Sequence, residues 1–187
     1  MAAPDIASLR ALRREITEQK LTIEEAGSHY TFDELVAALR SLREGERAAI
    51  SEWNEEQLHI RPAGGTGDDE DDHWSATEII THLLGTQNWY MMNMGRLIGK
   101  REHFDVMPRG LGDLAEQNLS RADLLSRLQA ETERFFAFLA EIPAGSNMAA
   151  TRDSTFFGPL SLRGWVFLAI VHDLDHFAQI ARIEQTN

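Results

Sequence analysis

Two histidines near the C-terminal end, His172 and His176, stand four residues apart in the stretch Val171-His172-Asp173-Leu174-Asp175-His176-Phe177-Ala178-Gln179-Ile180. In a helix, positions i and i+4 share a face, so both imidazoles can aim at one point. Two imidazoles on one face can hold one metal ion. A third ligand from elsewhere would complete a site of the catalytic type, with an open coordination position. His82 is the candidate third ligand. Glu78 lies one turn before it on the same helix face, where it can cap the helix, orient His82, or serve a metal-bound water as an outer-shell partner. A single helical histidine is most simply a hydrogen-bonded core or surface residue. The pair is harder to explain that way, because burying two unpartnered imidazoles in an apolar helix is costly.

Other residues with chemical potential are weaker. His172-Asp173-Leu174-Asp175-His176 has the histidine spacing of the H-E-x-x-H metalloprotease helix, but that motif needs a glutamate where Asp173 stands. Asp173 and Asp175 are expected to face solvent or to support the histidines from behind. The run Asp68-Asp69-Glu70-Asp71-Asp72 lacks the spaced ligands and central glycine of a calcium loop and reads as a solvated linker, with His73 exposed beside it. Trp53, Gln57 and His59 are candidates for lining a pocket, although Trp53 is more simply core. Trp89 and Met91 to Met94 read as apolar packing. His103 falls in a long connection and is expected to be solvated.

The elements that must position these residues are helical. Alternating apolar and polar runs are scarce, and the 3.6-residue period recurs throughout the 187 residues. Five helices are predicted. The first runs from about Asp5 to Ala26 and reads as an N-terminal extension, residues 1–28, to a bundle over 29–187. The second starts at the capping box Thr31-x-x-Glu34 and continues to Pro62. The third starts at Ser75-x-x-Glu78 and fades at Gly99. The fourth starts at Ser120 and stops before Pro143, and the fifth covers Ser161 to Glu184. The third helix should be about 36 Å long, and the chain from Gly99 to Leu119 can span that distance at about 3.3 Å per residue. The four main helices can then run up-down-down-up. That order places His82 level with His172 and His176.

Composition narrows the chemistry further. There are no cysteines, so disulfides, thiolate zinc sites and cysteine nucleophiles are excluded, and any thiol chemistry must use a thiol supplied as substrate. The formal net charge is -12, with Lys20 and Lys100 the two lysines, which disfavours nucleic-acid binding. The start lacks a basic stretch followed by an apolar run, so no signal peptide is expected. The longest clean apolar run, Trp165 to Val171, is too short to span a membrane, and a cytoplasmic location without membrane partners is expected.

The pattern Trp74-Ser75-x-x-Glu78-x-x-x-His82-Leu83, followed far downstream by His172-Asp173-x-x-His176-x-x-Gln179-Ile180, resembles the DinB/YfiT-like family over roughly Thr31 to Ile183. The resemblance implies an all-α four-helix bundle of up-down-down-up topology, often dimeric. It also implies a divalent metal, zinc or nickel, held by His82, His172 and His176. Characterised relatives use low-molecular-weight thiols, as mycothiol-dependent maleylpyruvate isomerase and bacillithiol S-transferases do. By that resemblance the expected activity is thiol transfer, isomerisation or hydrolysis on a small-molecule substrate, with a low-molecular-weight thiol as cosubstrate and a homodimer as the assembly. The competing expectation is a non-catalytic stress-response or binding module whose metal is structural or adventitious. The N-terminal helix and the acidic loop are departures from the simplest members.

Overall fold

The computed structural model describes residues 4–62, 73–100 and 119–185. The protein is all-α in character: α1 (Ile6–Thr17), α2 (Ile23–Ser28), α3 (Phe32–Ser51), α4 (Glu55–His59), α5 (Ala76–Leu97), α6 (Arg121–Ala140) and α7 (Leu162–Gln185), with one short hairpin before α7. Its strands, β1 (Thr151–Ser154) and β2 (Gly158–Ser161), pair antiparallel with Thr151 opposite Ser161. Four-residue strands are too short to impose a legible alternation, which is why the sequence pattern shows none. The connection predicted between Gly99 and Leu119, His103 with it, and the acidic run Gly67 to Asp72 lie almost entirely outside the described residues.

Capping decides most helix starts. Thr31 with Glu34 and Ser75 with Glu78 form the two expected capping boxes, each side chain answering the other's backbone N–H. Two further boxes divide segments that the periodicity reads as continuous. Gln19 adopts a φ of 57°, and the Lys20 N–H donates to the Glu15 carbonyl, which terminates α1; Thr22 with Glu25 then starts α2. The expected single helix over Asp5 to Ala26 is therefore two. Likewise Asn54 with Gln57 starts α4, so the second predicted helix ends at Ser51 rather than at Pro62.

The pairing of the long helices follows from their contacts. His82 meets His172 and His176 while Trp89 meets Trp165, so α5 and α7 run antiparallel. Arg40 lies over Phe136 while Arg47 reaches Gln129, so α3 and α6 are antiparallel. Thr81 and Leu84 border the same groove as Arg127, and Arg134 reaches Asn88 and Met91, which makes α5 and α6 parallel. Taking α3 as up, α5 and α6 run down and α7 runs up.

Among the described residues two apolar clusters fill the interior. One centres on Trp165, Phe167, Tyr90, Phe135, Leu35 and Leu39, and the other on Ile50, Trp53, Leu58, Ile79, Ile80, Leu124 and Ile183. The histidines and a buried ion pair lie at the level where the two meet. Leu9, Ile23 and Ala26 of α1 and α2 join the first cluster, so the N-terminal helices are packed onto the same core as α7. Glu24 of α2 accepts from the Ser161 N–H at 2.8 Å and hydroxyl at 3.0 Å, capping α7 from another element. Gly164 leaves room for that approach, since a Cβ there would meet the Glu24 carboxylate and come within 3.2 Å of the Leu160 side chain. No helix among the described residues is long and apolar enough to cross a membrane.

Candidate metal centre

His82, in the second turn of α5, and His172 and His176, one turn apart on α7, converge between the antiparallel helices. The Nε2 atom of His172 lies 3.0 Å from Nε2 of His82 and 3.2 Å from Nε2 of His176. One ligand nitrogen from each residue falls within 4.8 Å of the others. Tetrahedral coordination at the usual zinc–nitrogen distance of about 2.0–2.1 Å separates two ligand nitrogens by roughly 3.4 Å. The two Nε2 separations are a few tenths of an ångström short of that value. The three rings can thus each turn one nitrogen to a single cation.

Protonation favours the same reading. Burial, and then the electrostatic influence of the neighbouring His176 ring, lower the His82 pKa from 6.5 to about 4. Burial, followed by the charges of His176, His82 and Arg43, pushes His172 well below its ordinary value. Both rings are therefore neutral near pH 7, the form that binds metal. His176 is 6% exposed, and its Nδ1 donates to the Gln179 side-chain carbonyl at 2.6 Å, which turns the lone pair of Nε2 toward the cluster. Trp74 closes one side: its ring stacks on His176, 6.1 Å between centroids, and tilts against His82 at 5.0 Å. Tyr90 meets His172 edge-on from the core side.

These shifts make stability depend on pH. A histidine with a depressed folded pKa binds protons in the unfolded chain before it does in the folded one. Its contribution is complete above pH 6.5 and is lost as pH falls toward about 4. Metal-free protein should therefore unfold at progressively lower urea concentration between pH 6.5 and 5, and His82→Gln should show a shallower dependence over that interval.

Glu78 is 12% exposed at its side chain. One carboxylate oxygen accepts from the Ser75 N–H and hydroxyl at 2.9 Å each, and the other is paired with the exposed Arg61. Trp53 is core, Gln57 serves the cap of α4, and His59 is exposed near Glu55. His73 is exposed. Of the two aspartates between the histidines, Asp175 is half-exposed and paired with Arg13 of α1. Asp173 does not face solvent: it is 1% exposed and is held by Arg43. The partner roles of Gln179 and Trp74 are not evident in the residue pattern by itself. The signal available for Gln179 is its i+3 spacing from His176 on one helix face.

A helical protein with three imidazoles drawn from two antiparallel helices is thereby defined. A sequence profile of the DinB superfamily matches residues 38–180, roughly three quarters of the chain. The chain belongs to the DinB superfamily. No curated protein and no solved structure matches it.

Proposed function

We propose that His82, His172 and His176 hold one divalent cation, zinc or nickel, and that the protein is a metal-dependent enzyme transferring a low-molecular-weight thiol to, or hydrolysing, a small molecule. The observation that supports this most is the convergence of three Nε2 atoms, two of them on rings kept neutral by burial. Three protein ligands leave a fourth position for an exogenous group. A cation bound there supplies acidity, favouring the ionised form of a thiol or water.

The chain's own residues divide the remaining work. Gln179 fixes the tautomer and tilt of His176, and the Trp74 ring keeps water off that side. Glu78, one turn before His82 on α5, is the candidate proton-transfer group, and the oxygen not used in the cap is paired with the exposed Arg61. The substrate is proposed to be small, the assembly a homodimer, the location cytoplasmic, and neither nucleic acid nor membrane a partner. The N-terminal extension over 1–28 and the bundle over 29–187 are proposed as the two parts of the chain.

A second reading, a non-catalytic binding module with a structural metal, is favoured by one observation: both oxygens of Glu78 are already engaged.

The test is a metal-depletion assay with a panel of low-molecular-weight thiols and a model electrophile, alongside a model ester. Turnover should disappear with chelation and return with zinc or nickel. Glu78→Gln should reduce the rate by about 10²–10⁴-fold, the usual weight of a general acid or base. Its melting temperature should barely change, because glutamine also serves in a capping box. Metal-loaded protein that leaves every uncatalysed rate unchanged would establish the second reading instead.

A further inference from the structure

The proposed metal chemistry makes no use of a buried ion pair beside it. Arg43 of α3 is 5% exposed and Asp173 of α7 is 1% exposed. The guanidinium Nε donates to Asp173 Oδ2 at 2.7 Å, and Nη2 reaches Oδ1 at 3.4 Å. Its third arm, Nη1, donates to the side-chain carbonyl of Gln87 on α5 at 2.6 Å. The Phe135 ring lies 5.1 Å from the guanidinium carbon, flanking it from α6. One side chain from α3 thus grips both helices that carry the histidines. Asp173 adjoins His172 in sequence, and Gln87 lies about 7.5 Å along α5 from His82 at the helical rise per residue.

Core stability alone is a poor reason for this arrangement. A buried ion pair is often replaceable by apolar residues of similar volume without loss, so its best-attested use is to fix register. Gln87 points the same way. It is 1% exposed, and in offering its carbonyl to Arg43 it leaves its amide nitrogen without a partner among the described residues. An apolar side chain would avoid that penalty. Glu46, also buried, lies close enough to be influenced by both members of the pair. Burial and then the Asp173 charge raise its pKa well above the glutamate range, with Arg43 opposing, so the cluster is one ion pair and a neutral acid.

We propose that Arg43 is a positioning residue: by joining Asp173 to Gln87 it sets the register at which the helix carrying His82 meets the helix carrying His172 and His176, and so sets the geometry of the three nitrogens. The inference rests on reading those histidines as metal ligands.

Cobalt(II) is a suitable probe, because its visible absorption reports coordination geometry and a competing chelator reports affinity. Arg43→Met/Asp173→Leu removes the pair without stranding a charge. Gln87→Leu cuts the α5 arm alone and keeps the question open to test if the double variant fails to fold. At a temperature where circular dichroism shows each variant folded, both should bind Co²⁺ about tenfold or more weaker than wild type, the scale of lost outer-shell support. Their absorption bands should also change. A role confined to stability would lower the melting temperature and leave the affinity and spectrum of the folded protein alone; that result overturns the proposal while the metal site stands. Wild-type protein that binds no Co²⁺ overturns the metal reading, and the positioning role with it.

Discussion

Chelation should lower the thermal midpoint of the wild-type protein by roughly 8–16 °C, and the variants His82→Ala and His172→Ala should show no such shift. The size follows from linkage: free metal at about 1,000 times its dissociation constant stabilises the folded state by about 4 kcal/mol. Each kcal/mol moves the midpoint of a domain this long by about 2–4 °C. The three imidazole nitrogens come from helices brought together only by folding, so the unfolded chain has no comparable site. Removing one imidazole leaves two ligands from the same pair of helices, or from α7 alone, and the shared point is lost. The measurement is differential scanning calorimetry with and without chelator, combined with metal analysis of protein purified without a histidine tag. Near-stoichiometric zinc or nickel in the wild type, absent from both variants, is the expected result. A wild-type midpoint indifferent to chelator and to added metal would refute the site.

The second large effect concerns the ion pair in the core. Arg43→Met should destabilise the protein by about 3–5 kcal/mol, because it leaves the Asp173 carboxylate buried without a partner. The midpoint should fall by about 6–20 °C at the same conversion. Adding Asp173→Leu to the same variant should recover most of the loss, since the apolar pair has no charge to desolvate. The two changes are thus strongly non-additive, as expected for residues in direct contact. Urea denaturation of the two single variants, the double variant and wild type measures the coupling. Additive losses would mean that the two charges are solvated in the native protein, against their exposures of 5% and 1%.

These two effects differ in how visible their causes are before folding is considered. The i,i+4 histidines, the apolar character of α7 and the capping boxes at Thr31 and Ser75 depend on neighbours within one or two turns. Local geometry therefore determines them, and the residue pattern records it. The all-α class follows for the same reason, because its period is a local property. The boxes at Thr22 and Asn54 are equally local, and their S/T/N-x-x-E/Q pattern marks the two points where the longer periodic stretches divide. The hairpin before α7 is different: strands of four residues carry too little alternation to register.

What tertiary structure alone decides is which distant groups meet, because helix packing, not chain order, sets those distances. Residue type cannot distinguish an aspartate beside a cluster histidine that turns to solvent from one that turns inward. Asp175 meets Arg13 at the surface and Asp173 meets Arg43 in the core, although the two stand two positions apart on one helix. A two-residue step rotates a side chain about 200° around a helix, so the faces presented by α3 and α1 assign each carboxylate its partner. The local pattern placed two imidazoles on one side of a helix. Only the packed bundle brought the third to them, with a guanidinium from α3 bridging the helices that bear all three.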